Sequence, residues 1–336
     1  MIVLLSQNIS SSQENIISSR ISSFGLKVSR VSTKSRTYLI ATGLAQYDIR
    51  AIGSLPGVDD VHIVSDQYKL VSRKWKTKRT SIDLGDGISI GGNSFQFIAG
   101  PCALESEDQI TQVVNFLSKN NIRIMRGGAF KPRTSPYSFR GLGLEGLKLF
   151  ATLAHEKNIK IISEVLEPAQ IDAMYPYVDI FQVGARNSQN FSLLSELGKV
   201  DKPVLLKRGI SGTIDELLQC AEYIFSSGNE KIILCERGIR TFETAYRNTF
   251  DINAVPVLKD KSHLPVFIDP SHGIGIRKFI EPITFAGIAA GADGALIEIH
   301  PTPEKSVSDS DQTIGFDEAT RMIEKSRMLL EVITNA

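Results

Sequence analysis

The sequence predicts an α/β protein: a (β/α)8 TIM barrel carrying a small ferredoxin-like (βαββαβ) domain at its N-terminus. Three observations predict this. From Gln96 onward, short apolar stretches recur eight times over about 240 residues, each ending in a polar or charged residue and most followed by a helical segment. No Gly-x-Gly-x-x-Gly follows the first of them, which argues against a doubly wound sheet. The residues before position 66 follow the order βαββαβ and carry no cluster of reactive side chains.

The N-terminal elements read as follows. Ile2 to Leu5 is a short strand. Ser11 with Glu14 forms a capping box, and Ile16, Ile17, Ile21 and Phe24 then recur at helical spacing until Gly25 stops the helix. Leu26 to Val31 and Thr37 to Thr42 alternate as strands, Gln46 to Ser54 is a weak second helix, and Val58 to Val64 is a fourth strand after Pro56-Gly57. His62, on that strand, reads as structural or exposed. These elements set residues 1–66 apart as a small domain suited to regulation, followed by a linker at 67–81 and a barrel with its own N-terminal hairpin at 82–336. The linker holds Lys69, Arg73, Lys74, Lys76, Lys78 and Arg79 with Tyr68 and Trp75 interleaved. It reads as a solvated connection whose aromatics dock on a neighbour, in preference to a polyanion-binding patch. Apolar residues alternate from Ile82 to Phe97 around Gly91-Gly92-Asn93, a hairpin placed to plug the bottom of the barrel.

The barrel strands are read at Phe97–Gly100, Ile122–Met125, Lys160–Val165, Ile180–Val183, Val204–Lys207, Lys231–Cys235, Val266–Asp269 and Ala295–Ile299. Helices are expected at Glu107–Lys119, Leu144–Lys157, Thr213–Ser226, Arg277–Ala290 and Asp317–Ile333. The chain has 336 residues and a formal net charge of +1, so any anion site is local and a general nucleic-acid binder is excluded. Its three cysteines form no close-spaced framework, and no apolar run reaches the length of a membrane span. The apolar start, Met1 to Leu5, is too short for a signal peptide, so a cytoplasmic protein is expected.

A barrel of this kind builds its active site from the C-terminal ends of its strands. The second strand runs into Arg126-Gly-Gly-Ala-Phe-Lys-Pro-Arg-Thr-Ser135, a loop stiffened by proline and rich in cations that suit small, multiply charged anions. Strands seven, eight and one present His272, Glu298, Asp309 and Cys102, a mixed donor set for one divalent transition metal. Asp311 and His300 are rival ligands that spacing leaves open, while Cys220, Cys235, His155 and His263 read as structural. Strands two, four, five and six present Arg126, Lys131, Arg133, Arg186, Lys207 and Arg237. This divides the rim into a metal side and an opposite basic side. Two phosphorylated substrates meeting beside a metal, in a phosphosugar-aldolase type of reaction, is the economical reading. A Schiff-base aldolase is disfavoured, because its lysine should sit in an environment that lowers its pKa rather than in an arginine cluster.

On these motifs the chain resembles the 3-deoxy-D-arabino-heptulosonate 7-phosphate (DAHP) synthases, in the branch with an N-terminal ferredoxin-like domain. The carriers are Ala99-Gly-Pro-Cys102, the loop from Arg126, Gly184-Ala-Arg-Asn187, Leu205-Leu-Lys-Arg-Gly209, Cys235-Glu-Arg-Gly238 and Asp269-Pro-Ser-His272. The resemblance implies condensation of phosphoenolpyruvate with D-erythrose 4-phosphate and water. It implies Cys102, His272, Glu298 and Asp309 as ligands of one divalent ion (Mn, Fe, Zn, Co or similar). Arg126 and Lys207 would take the phosphoenolpyruvate carboxylate and Arg186 and Arg237 its phosphate, with Ala185 and Glu236 beside them. Pro132, Arg133 and Thr134 would bind the erythrose phosphate. Lys131 would donate the proton, making it catalytic together with Cys102 and His272, and Glu236 or Glu164 would position the water. The resemblance further implies a homotetramer, and a second hypothesis is that the N-terminal domain binds a pathway end product, an aromatic amino acid, and restrains the barrel. The nearest rival, 3-deoxy-D-manno-octulosonate 8-phosphate synthase, uses arabinose 5-phosphate and has Ala-Asn where this chain has Pro132-Arg133.

Overall fold

The computed structural model describes residues 1–44, 47–92, 94–131, 137 and 139–334. The first unit is a four-stranded sheet made of β1 (Ile2–Leu5), β2 (Lys27–Ser32), β3 (Thr37–Thr42) and β4 (Val58–His62) in the order β2-β3-β1-β4. Every neighbouring pair is antiparallel, as a βαββαβ chain requires. Alternation along the strands gives the sheet two apolar faces. Val3, Leu5, Leu39 and Ala41 pack under Ile17 and Ile21 of α1 (Ser11–Ser23) and Ile52 of α2 (Arg50–Gly53). Ile2, Leu4, Tyr38 and Ile40 face the other way, into one apolar cluster with the barrel wall.

Two local expectations shift. The cap of α1 is Ser10 with Gln13, one residue earlier than Ser11 with Glu14, because the Gln13 side chain returns to the Ser10 N–H at 3.1 Å while Glu14 pairs with Arg30. The second helix is a single turn: Ile49 at its start has no side-chain acceptor, and Asp48 is taken up by Arg50. Ala45 and Gln46, where that helix was expected to begin, lie outside the described residues.

The hairpin is β5 (Ser81–Asp83) against β6 (Ser89–Gly91). Its turn runs through Gly85, Asp86 and Gly87, all at positive φ, instead of Gly91-Gly92-Asn93. Asp83 Oδ1 accepts the Gly85 N–H at 2.8 Å and so fixes the reversal there. Ile82, Ile88 and Ile90 join Ile98, Ile124, Ile162, Ile180, Leu205 and Ile233 from the barrel strands, and Asp86 pairs with Lys160 at the start of a strand. The hairpin therefore closes the end opposite the strand tips.

The closed barrel comprises β7 (Gln96–Gly100), β8 (Ile124–Arg126), β9 (Lys160–Glu164), β10 (Ile180–Val183), β11 (Val204–Lys207), β12 (Ile232–Glu236), β13 (Val266–Ile268) and β14 (Gly294–Glu298), all parallel, with β14 pairing back onto β7. The outer helices include α3 (Glu107–Lys119), α4 (Gly143–His155), α5 (Ile171–Met174), α6 (Phe191–Leu197), α7 (Ile214–Ser226) and α8 (Ala254–Lys261). A five-residue α9 (Pro270–Ile274), then α10 (Ile280–Ala289) and α11 (Phe316–Thr334), complete the ring. Amphipathic spacing explains the long ones: α7 buries Leu217, Leu218, Ala221, Ile224 and Phe225 behind a Thr213–Glu216 capping box.

The linker aromatics dock. Trp75 donates its indole N–H to Leu70 O at 2.8 Å and meets Tyr38 and His263 edge-on, each at 5.7 Å. Tyr38 in turn meets Phe225 of α7 at 6.0 Å, so sheet, linker and barrel share one seam. At its edge Lys34 pairs with Asp201, and Ser35 with Glu230.

Candidate active site at the strand tips

Cys102, just beyond β7, Glu298 at the end of β14 and Asp309 in the turn after it offer donor atoms that all lie within 4.8 Å of one another. Cys102 Sγ donates to Asp309 Oδ2 at 3.1 Å and to Ser308 Oγ at 3.2 Å. Asp309 takes the left-handed conformation (φ 56°), which an Asp tolerates better than most residues and which turns its carboxylate inward. His272 lies on α9 with Nε2 3.5 Å from Glu298 Oε1. Its Nδ1 faces Asp269, which is the N-cap of that short helix. An imidazole whose Nδ1–H is held by a carboxylate keeps Nε2 as a lone pair for a metal.

Burial governs the electrostatics. It pushes the Cys102 thiol up to about 12, with Glu298 adding to the effect. His272 is lowered by burial against the opposing pull of Asp269 and Glu298. Asp309 falls to about 2, because His272 and Arg247 outweigh its burial.

Two of the basic residues, Arg126 and Lys131, are not across the rim from this group but bonded to it, which corrects the expected division for these two. Arg126 donates through Nη1 to Glu298 and through Nη2 to Cys102 O at 3.4 Å. Lys131 Nζ sits 3.1 Å from both Cys102 Sγ and Cys102 O. Lys207 donates to Asp269, so Asp269 holds a cation and His272 at once. The physical reason is reach: β7 lies between β14 and β8, and a guanidinium spans that one strand. Arg237 is 5% exposed, and among the described residues its guanidinium donates to the carbonyls of Gly238 and His272 alone. Arg126 Nε is likewise buried with no hydrogen bond among the described residues. Both guanidiniums are poised for an anion.

Arg186 is exposed and Ala185 half-buried, on the turn after β10. Glu164 packs against Gly184, where a Cβ would come within 2.0 Å of its Oε1. Glu236 is fully buried and already engaged by Arg208 and the Gly238 N–H. Pro132, Arg133 and Thr134 lie outside the described residues. Of the rival ligands, His300 faces Glu105 and Thr302, and neither it nor Asp311 joins the cluster among the described residues.

Residues 74–333 match the model of the DAHP synthetase I family. The chain belongs to that family. It is 45% identical over 312 residues, 93% of this chain and 92% of the relative, to phospho-2-dehydro-3-deoxyheptonate aldolase of Thermotoga maritima. A solved DAHP synthase of Thermotoga maritima superposes with a TM-score of 0.79 at 43% identity, covering 99% of this chain and 97% of that one. A 2-dehydro-3-deoxyphosphooctonate aldolase of Desulfotalea psychrophila is 31% identical over 72% of this chain and 92% of its own length.

Several residues that bond to this site have no role assigned from the sequence: Asp269, which appears there only as part of a motif, and Gln312, Arg247 and Asn248. Asp269 had a readable signal, since a strand-end Asp before Pro-Ser-His caps the turn that carries the histidine. Gln312 and Arg247 stand 65 positions apart, and no spacing rule links them.

Proposed function

We infer that this chain condenses phosphoenolpyruvate with D-erythrose 4-phosphate and water to give DAHP and phosphate, the first step of the shikimate pathway and so of aromatic amino acid biosynthesis. The observation that carries this reading is the direct bonding of Lys131 to Cys102 and of Arg126 to Glu298. It sets anion-binding cations one bond away from a metal-binding group.

The donor chemistry fits a divalent ion. One thiol and two carboxylates gather within 4.8 Å of one another, the His272 imidazole stands outside that group with Nε2 3.5 Å from Glu298, and Asp269 fixes its tautomer. Cys102, His272, Glu298 and Asp309 would hold the ion; sulfur, nitrogen and oxygen together accept Mn, Fe, Zn or Co. When bound it supplies Lewis-acid polarisation of the aldehyde.

The chain's own residues do the rest. Arg126 and Lys207 orient the phosphoenolpyruvate carboxylate, and Arg186 and Arg237 its phosphate. Arg126, Lys207 and Arg237 are nearly buried, so water competes poorly for the anion. Lys131, half-buried beside Cys102, is placed to give a proton to the aldehyde oxygen as the phosphoenolpyruvate methylene attacks that carbon. Water then adds at the former enol carbon, and phosphate leaves with the electrons of its C–O bond. Glu164, next to Gly184, is better placed than Glu236 to orient that water, because Arg208 already occupies Glu236. Pro132, Arg133 and Thr134 are assigned to the sugar phosphate.

A second reading, condensation with arabinose 5-phosphate, draws on the relatives called 2-dehydro-3-deoxyphosphooctonate aldolases. The 45% identity to the heptonate enzyme favours the four-carbon sugar. Phosphate release from phosphoenolpyruvate, with erythrose 4-phosphate or arabinose 5-phosphate and with or without metal, separates the two. Turnover only with arabinose 5-phosphate would overturn the first.

Residues 1–66 are assigned to effector control, 67–81 to the linker and 82–336 to catalysis, in a homotetramer whose effector is an aromatic amino acid. Among the described residues no helix is long and apolar enough to cross a membrane. Cys102, Cys220 and Cys235 are free and buried, which suits a reducing compartment such as the cytoplasm.

A further inference from the structure

The loop between β12 and α8, residues 237–253, reaches three of the four proposed metal ligands without supplying one. Its course is fixed at several points. Ile239 and Thr249 exchange backbone hydrogen bonds at 2.9 Å, the Arg240 N–H reaches Ile210 O at 2.7 Å, and Arg208 holds Asp251 at 2.8 Å. From this frame Asn248 donates to the His272 carbonyl at 2.9 Å, and the Arg247 N–H donates to Ile274 O at 3.1 Å. The Arg247 side chain then enters the site from outside. Its Nη1 donates to Asp309 Oδ1 at 3.2 Å and also to Gln312 Oε1. Gln312, 1% exposed, passes the contact inward by donating through Nε2 to Glu298 Oε2. Even the path is shaped for this arginine: a Cβ on Gly275 would lie 2.4 Å from Arg247 Cβ.

Glu298 and Asp309 come from different segments, and their charges repel where they meet. Among the described residues, Arg247 is the one side chain that bonds to Asp309 and, through Gln312, to Glu298. It bonds each carboxylate group through an oxygen other than the one facing Cys102 or His272. We propose that Arg247, with Gln312 as its relay, is a positioning residue for the metal centre, holding the two carboxylates at ligand spacing before the ion arrives. The proposal rests on the reading of Cys102, His272, Glu298 and Asp309 as that centre. Outer partners of ligands typically change metal affinity by about 10- to 100-fold.

The test uses the full chain, stripped of metal with a chelator and titrated with Co2+, whose thiolate absorption band reports Cys102. Arg247→Ala and Gln312→Leu should each weaken Co2+ binding by about 10- to 100-fold. Arg247→Lys, whose ammonium can bond to both oxygens, should recover most of the loss. Arg247 is 38% exposed in its side chain, so the unfolding midpoint of metal-free Arg247→Ala should match the parent. The metal concentration that half-saturates its activity should rise by the same factor as its Co2+ dissociation constant. Parental Co2+ affinity in both Arg247→Ala and Gln312→Leu, in a protein whose thiolate band is lost in Cys102→Ser, would overturn the positioning role. A lowered metal-free midpoint with unchanged affinity would do the same. No thiolate band in the parent would instead overturn the metal reading itself.

Discussion

A thiol as deeply buried as Cys102, held up to about 12 by its surroundings and by Glu298, stays protonated at neutral pH until a metal displaces the proton. The sign follows. Each ion bound releases a proton, so affinity should rise with pH, by about tenfold per unit while the thiol is the only group to ionise. Titrating the full chain with Co2+ between pH 6 and 8 measures it; a flat profile would mean that Cys102 is not a ligand. Cys102→Ala and His272→Ala should each abolish metal-dependent turnover with the fold intact by circular dichroism. At this scale the sequence marked the four candidate ligands and the cations because each lies at a strand end of a barrel or in the loop just beyond it, where position implies role. It hid Arg247 and Gln312, which act only through a third residue. It also hid the contact between Arg126 and Glu298, which depends on side-chain reach and on which strands become neighbours.

Among the elements, the junctions carry the chemistry. Gly100 ends β7 where a Cβ would fall 2.0 Å from Arg126 O, at the tip of β8. Gly100→Ala should therefore push apart the two strand ends that carry Cys102 and Arg126, raising the KM for phosphoenolpyruvate and weakening metal retention together. Steady-state kinetics with metal analysis would show both. Asp269 couples a cap to a site: it begins α9, holds His272 and bonds to Lys207. Asp269→Asn keeps an acceptor for the helix but removes the charge, and should lower kcat/KM by about 10- to 100-fold. The eight strands were legible because buried parallel strands read as short apolar runs. The start of α1 and the turn of the hairpin were not. Ser10 and Ser11 are equally good caps in isolation, and side-chain returns from Gln13 and Asp83 decided between near-equal alternatives.

Across the whole molecule, the sheet, linker and barrel meet around His263, which is 1% exposed between Leu70 O and Thr80 Oγ1. Burial, with Lys76 nearby, lowers it to about 3. An unfolded histidine takes a proton below about 6.5, which the folded one resists, so the seam's contribution is complete above that pH and is lost as pH falls toward 3. Stability should drop by up to about 1.4 kcal/mol per pH unit from this group alone. Urea unfolding at pH 7 and pH 5 should show the loss, and His263→Gln, which cannot titrate, should flatten it. If an aromatic amino acid inhibits through the N-terminal domain as proposed, deleting residues 1–75 should relieve that inhibition; unchanged inhibition in the shortened chain would count against the proposal. The shortened chain would also bare Phe225 of α7, which Tyr38 covers in the full chain.

Asp269 has one further consequence. A single carboxylate serves both Lys207, proposed for the substrate anion, and His272, proposed for the ion. An ion held at Nε2 would make the Nδ1–H a stronger donor, draw Asp269 toward His272 and free Lys207 for an incoming carboxylate. Run backwards, an anion that engaged Lys207 would leave Asp269 to the imidazole and make it a better base for the ion. The two occupants would then recruit each other, by the same factor in both directions.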